Sequence, residues 1–178
     1  MLGQFDFQTS SRKAIVRPAE TRDVEGMARV SIDTWRLTYS GLLPAPYLAR
    51  MRLSAHEAQR RRLMQGPGMA HLVAEEVATG ETVGFASAGP ARGQEASGEL
   101  YELYVQNGFQ GQGLGRRLLD GARLWLRSRG HGSMIVWVLA QNTNRIFYDR
   151  MGGRPAGVRT IRVGGALVEE AAYVWRDI

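Results

Sequence analysis

Met134-Ile135-Val136-Trp137-Val138-Leu139 is an apolar run with no polar alternation. A strand of that kind fits where both of its faces are covered, in the interior of a sheet with further layers on each side. The chain must then build a sheet around residues 134–139 and cover it from above and below. With 178 residues, 44% of them hydrophobic, it has the material to do so as one domain. A charged fraction of 22% fits a globular chain rather than disorder or a coiled coil.

The flanking segments supply the rest of the sheet and its covers. Ala14–Pro18 reads as a short strand stopped by proline. Thr21 offers an N-cap, with Asp23 in the first turn, and Val24, Met27, Ala28, Ser31, Ile32 and Trp35 recur at helical spacing. Pro44 and Pro46 bracket a break around Tyr39-Ser40-Gly41-Leu42-Leu43. Ser54-Ala55-His56-Glu57 has the capping-box pattern and opens a helix through Leu63, before Gly66-Pro67-Gly68. Residues 71–76, 81–88 and 99–105 then read as strands, 113–129 as a helix and 143–151 as a short helix. Residues 157–163 and 167–175 form a hairpin around Gly164-Gly165, a pair suited to a type I′ turn. The order β-α-α-β-β-β-α-β-α-β-β predicts an α+β fold, a mixed sheet flanked by helices, in a single domain over 1–178. Residues 1–13 read as a loosely ordered lead-in.

Composition removes several chemistries. There is no cysteine, hence no disulfide, thiol nucleophile or cysteine metal site. His56, His71 and His131 are far apart and form no H-x-x-x-H pair, so no metal site is expected from them. The net charge of +6 comes from 22 arginines and the single Lys13. Such arginines serve either a solvated surface or a polyanionic ligand, a nucleic acid or a phosphorylated cofactor. No stretch is long and apolar enough to span a membrane, and the first residues lack the apolar core of a signal peptide, which points to the cytoplasm.

The segment richest in chemistry is Gln110-Gly111-Gln112-Gly113-Leu114-Gly115-Arg116-Arg117, between a strand and a helix. Glycines at alternate positions let the backbone turn tightly and leave its N–H groups uncovered, where they join the positive end of the helix. The product is an anion site suited to a phosphate or pyrophosphate. A P-loop would continue Gly-Lys-Ser/Thr, but Arg116 follows Gly115. A dinucleotide fingerprint needs glycine where Arg116 stands and an acidic residue near Ile135–Leu139, which has none.

Gln110-x-x-Gly113-x-Gly115 after Tyr104-Val105 resembles the acetyl-CoA pyrophosphate loop of the GNAT superfamily of N-acetyltransferases. Asn142-Thr143-Asn144-Arg145-Ile146-Phe147-Tyr148 with Gly152-Gly153 resembles that family's second cofactor segment, and Thr34-Trp35-Arg36 with Tyr39-x-Gly41-Leu42-Leu43-Pro44 resembles its substrate-side helices. The resemblance runs from about Ile15 to Trp175, with two departures: Gln110 stands where arginine is commonest, and Asn142 is six residues before Tyr148 where seven is usual. It implies a central, mixed, largely antiparallel sheet whose cofactor strand is splayed from its neighbour. It also implies transfer of an acetyl group from acetyl-CoA to a primary amine of a small molecule or peptide, by direct attack. Leu103, Tyr104 and Val105 would bond the pantetheine arm. Gln110, Gly111, Gln112, Gly113, Leu114, Gly115 and Arg116 would hold the pyrophosphate. Asn142, Asn144, Arg145 and Phe147 fall on the cofactor side, with Arg145 or a nearby basic residue directed to the 3′-phosphate. Tyr148 matches the family's general acid, the Leu103 N–H the oxyanion donor, and either Glu99 or Glu102 the base. By strict alternation these two glutamates lie on opposite faces of one strand, Glu99 with Leu103 and Val105; the resemblance would have Glu99 act through water, or Glu102 point to the substrate groove. Trp35 and Tyr39, one face of a helix, either contact the acceptor or pack in the core, while Tyr101 and Trp137 read as core residues.

Two other readings compete. A non-catalytic CoA-binding module would keep the loop without the chemistry. A nucleic-acid-binding protein would use Arg60-Arg61-Arg62, although Glu57 lies beside that triplet and the charges are dispersed. The reading adopted has no nucleic acid and no membrane as partner, no metal, and room for a homodimer, which is common in this fold.

Overall fold

The structure, a computed structural model, describes residues 14–178, so the lead-in expected over 1–13 lies outside the described residues. The strands are β1 (Ala14–Pro18), β2 (Ala70–Glu76), β3 (Thr82–Pro90), β4 (Gly98–Val105), β5 (Met134–Leu139), β6 (Arg154–Val163) and β7 (Ala166–Trp175). The α-helices are α1 (Val24–Thr38), α2 (Ala45–Ala49), α3 (Leu53–Gln65), α4 (Leu114–Ser128) and α5 (Ile146–Arg150), with 3-10 turns at Thr21–Asp23, Asn107–Phe109 and Thr143–Arg145. All the strands join one sheet in the order β1-β2-β3-β4-β5-β7-β6. Only the β4–β5 pair is parallel; the others are antiparallel. The expected element order holds, with α2 added after Pro44.

Both faces of the sheet are covered as the apolar run in β5 requires. On one face α4 lays down Leu114, Leu118, Leu119, Ala122 and Leu126, all buried against Val83, Ala86, Ala88, Leu100 and Val136. That stripe has the helical period, and its far side carries Arg116, Asp120 and Arg127. On the other face Met27 and Val30 of α1 meet Val73 and Phe85. Within β5, Met134, Ile135 and Val136 are nearly inaccessible, while Trp137 is only partly buried.

The sheet comes apart in its middle. β4 pairs with β5 only at Gly98↔Met134, Glu99↔Ile135 and Leu100↔Val136. Beyond that point β4 stays paired to β3 as far as Val105, and β5 stays paired to β7 as far as Leu139. Tyr101–Val105 and Trp137–Leu139 therefore diverge without bonding each other. The split begins at a β-bulge: Ser87 pairs with Glu102 and Ala88 with Leu100, which leaves Tyr101 as the extra residue. A bulge bends its strand and increases the local twist, which turns β4 away from β5.

The bulge also corrects the expected alternation. Leu100, Leu103 and Val105 pack on the α4 side, and Tyr104 packs with Phe85 on the α1 side. Glu99 is thus on the opposite face from Leu103 and Val105, and on the same face as Glu102. Two helix starts also differ from the motif reading. Glu20, not Thr21, caps the first turn, its N–H donating to Asp23 Oδ2 at 2.7 Å. α3 opens one residue early, at Leu53, so Ser54 is already inside the helix and caps nothing. The hairpin turn is as expected, with φ of +58° at Gly164 and +90° at Gly165.

His71 ties α3 to the sheet through contacts of its ring nitrogens with Leu63 O at 3.3 Å and Ser87 Oγ at 3.0 Å. Burial disfavours its imidazolium, so its pKa lies below the ordinary 6.5. On acidification the unfolded chain takes up this proton first. Folding stability is therefore complete above about pH 6.5 and falls below it as the pH drops toward the folded-state pKa. Urea midpoints should decrease between pH 7.5 and 5.5, and decrease less in His71→Gln. In the core, Leu118 is fully buried, and Leu118→Ala should cost about 2–5 kcal/mol in the same titration at neutral pH.

Candidate active site

The gap between β4 and β5 opens into a cleft of about 660 Å³. Its floor is backbone. Gln106 donates to Val83 O on β3 at 2.9 Å, so with a period of two Tyr104 also faces β3, and Leu103 and Val105 turn their N–H and C=O into the gap. An unpaired strand edge of this kind needs a partner, and an extended chain bearing amides is the natural one. Gln110 already occupies one of these groups, its Nε2 donating to Val105 O at 3.0 Å.

The glycine turn closes one end of the cleft. Gly111 and Gly113 have φ of +73° and +77°, a left-handed conformation that glycine takes without steric cost, and Gly113 is the N-cap of α4. The first helical bond is Arg117 N to Gly113 O at 3.1 Å. The amides of Gly111 through Arg116 are thus without a backbone acceptor among the described residues, at the positive end of a 15-residue helix. A Cβ on Gly115 would come within 3.4 Å of the Phe147 ring, which keeps the loop tight against α5. Gln110 differs from the rest of the loop: its N–H goes to Asn107 O at 3.2 Å and its side chain to Val105, so it braces the loop. Gln112 turns back to Gly108 O at 3.1 Å and does not line the cleft.

Arg116 lines the cleft and is mostly exposed, 3.6 Å from Asp120, whereas Arg117 reaches under the sheet edge to Ala14 O at 2.8 Å. Arg145 points away from the cleft, 3.2 Å from Tyr173 Oη. Arg150, one of the basic residues near Arg145 that the sequence reading allowed for, is the basic residue of that segment that does line it. Asn142 and Asn144 both line the cleft, but Asn142 caps the 3-10 turn, its Oδ1 accepting from Asn144 N at 2.9 Å.

Tyr148 stands in the cleft wall with its ring against Phe147, Tyr173 and Trp175. Burial raises its pKa strongly, so the phenol stays protonated, and its hydroxyl has no hydrogen-bond partner among the described residues. On the opposite wall, Trp35 donates to Tyr104 Oη at 2.9 Å and meets Tyr39 edge-on at 5.0 Å. Trp35 and Tyr39 pack together and also line the cleft. Trp137, read as core, also lines the cleft, with Arg159 stacked 4.0 Å above its ring.

The glutamates separate cleanly. Glu99 sits at the closed end of the β4–β5 pair, 2% exposed, bonded to the Arg92 guanidinium and accepting from Arg92 N at 3.0 Å. It does not line the cleft. Glu102 does line it, held from behind by Arg60. Glu170 on β7, missed in the sequence because it reads as one of a solvated pair with Glu169, is a second lining carboxylate, held by Arg159 at 2.7 Å.

With this geometry in place, the likenesses to known proteins fall into a pattern. Residues 67–152, from before β2 to the end of α5, match the acetyltransferase (GNAT) domain. An uncharacterised N-acetyltransferase of Bacillus subtilis (strain 168) is 33% identical, over 92% of this chain and 93% of its own. An N-acetyltransferase of Mycobacterium tuberculosis, described there as probable, is 30% identical over 76% of each chain. Among solved structures, a phosphinothricin acetyltransferase from Sinorhizobium meliloti, crystallised with acetyl-CoA, shares the fold with a TM-score of 0.71 at 20% identity, covering 92% of this chain and 88% of that one. The split sheet, the glycine turn and the extent of these likenesses agree: the chain belongs to the GNAT superfamily of acetyltransferases.

Proposed function

We propose that this chain is an N-acetyltransferase that moves an acetyl group from acetyl-CoA to a primary amine of a small molecule or peptide, by direct attack, within one domain. The observation that carries the reading is the run of open backbone groups on one strand edge, the N–H and C=O of Leu103 and the N–H of Val105, beside the unpaired loop amides. A pantetheine arm laid along β4 would give these groups amide partners, and its pyrophosphate would meet the amides of Gly111–Arg116 with Arg116 beside them. Arg150 is the better candidate than Arg145 for the remaining phosphate.

The thioester supplies an activated acetyl group when bound. The Leu103 N–H faces the carbonyl oxygen on which negative charge develops as the amine adds. As the C–S bond breaks, the Tyr148 hydroxyl donates to the departing sulfur. Its raised pKa makes full proton transfer to a thiolate uphill, so its contribution is that of a hydrogen bond in a dry wall. The acceptor occupies the half of the cleft bounded by Trp35, Tyr39, Trp137, Glu102 and Glu170. The proton the amine loses passes to Glu102 or water, and Glu99 takes no part. The arginine triplet offers little to a nucleic acid, since Arg60 is buried and Arg61 lies 4.0 Å from Glu57. No helix among the described residues is long and apolar enough to cross a membrane.

The donor is tested by thermal shift with acetyl-CoA, ATP and NADH. Saturation at a hundredfold excess over Kd should stabilise by about 2.7 kcal/mol with acetyl-CoA alone. An equal response to ATP would sink the assignment. Tyr148→Phe should keep that response and lower kcat about tenfold or more in an amine screen read by released CoA, the loss expected of one hydrogen bond to a developing thiolate. Unchanged turnover would remove Tyr148 from the chemistry. A chain that binds acetyl-CoA tightly but acetylates no amine would be a non-catalytic CoA-binding module.

A further inference from the structure

Arg60 belongs to the basic triplet on α3, but its side chain turns inward and is only 3% exposed. Its two terminal nitrogens each bond one oxygen of Glu102, fork to fork, and its guanidinium lies 4.5 Å above the Phe85 ring. Glu102 is 24% exposed and faces the cleft. A buried pair of this kind is a poor way to gain stability, because desolvating an arginine costs about as much as the pair returns and apolar side chains over Phe85 would serve as well. Its orientation is what distinguishes it: the positive end is sealed under α3, and the negative end is presented to the acceptor half of the cleft. A cation there meets the carboxylate first and the guanidinium only behind it.

We infer that Arg60 and Glu102 form an ammonium-reading pair, in which Arg60 is a positioning residue that fixes the Glu102 carboxylate so that the acceptor is selected as a cationic amine. This rests on the placing of the acceptor in the reading above. Glu102 adjoins Leu103 on the unpaired part of β4, so a cation held there lies next to the backbone N–H assigned to the thioester carbonyl; the ammonium selected in this way releases one proton to water, and the free amine is what attacks. Trp35 and Trp137 line the same half and give the rest of a flat acceptor apolar and π surface. The fork matters as well as the charge. A lysine at position 60 could hold one oxygen of the carboxylate but could not fix its plane.

The test uses benzylammonium and its uncharged counterpart benzyl alcohol, titrated calorimetrically into the full chain at pH 7.5, so that no turnover is needed. The wild-type protein should prefer benzylammonium at least tenfold. Glu102→Gln and Arg60→Met, which keeps an apolar stem over Phe85, should abolish the preference; Arg60→Lys should restore part of it; Arg62→Ala should leave it intact. If Arg60→Met does not fold, Glu102→Gln and Arg60→Lys decide. A wild-type protein that binds both probes alike or neither, or a preference that survives Glu102→Gln or Arg60→Met, overturns the inference. Acetyl-CoA stabilisation is measured on the same samples. Its absence would refute the donor assignment while the cation preference still stands or falls by itself.

Discussion

Backbone hydrogen bonds that β4 and β5 do not make to each other are the condition on which the site depends. Each strand keeps its outer partner, β3 on one side and β7 on the other, so neither can swing back to close the gap. The extra residue at Tyr101 holds the divergence open by bending β4 where pairing stops. Tyr101 is itself pinned, its ring packed on Gly89 and under the Arg92 guanidinium. The cluster that buries Glu99 against Arg92 is thus what anchors the foot of the split.

From that split the division of labour follows. One half of the cleft is lined by main-chain groups and glycines, donors and acceptors of the kind that suit amides and phosphates. The other half is lined by side chains from distant segments: Trp35 and Tyr39 from α1, Glu102 from β4, Trp137 from β5 and Glu170 from β7. Tyr148 stands where the halves meet. Burial keeps its proton in place, and the rings of Phe147, Tyr173 and Trp175 fix its orientation.

Most of the strands and helices could be read from the sequence because they rest on local patterns: the apolar run of β5, the helical stripe of α4, and the glycines of the loop and hairpin. The glycine turn was legible as an anion site because positive φ and a helix start are local properties. The glutamates were not. Alternation along β4 is correct on each side of Tyr101 and wrong across it, and the bulge is set by register with β3 rather than by any residue in β4. Arg60 looked like one of three equivalent surface cations, since only the packing of α3 over Phe85 turns it inward. Arg145 and Arg150 differ by five positions, and which of them faces the cleft depends on where Tyr173 stands. Ser54 matched a capping pattern that the chain bypasses by starting α3 at Leu53.

The hairpin between β6 and β7 brings Ile161, Val163 and Glu170 to the cleft wall. Its tip lies on α2, where a Cβ at Gly164 would fall 2.5 Å from the Tyr47 ring. Tyr47 in turn stands 6.3 Å from Trp35. Two segments far apart in the chain thus meet beside this part of the cleft, with no room for a side chain at Gly164. A bulkier residue at position 47 would lift the hairpin tip, and with it the strand that carries Ile161 and Val163 to the cleft wall. Reshaping this wall therefore calls for paired changes near Tyr47 and Gly164, while the end of the cleft built from main chain is untouched by them.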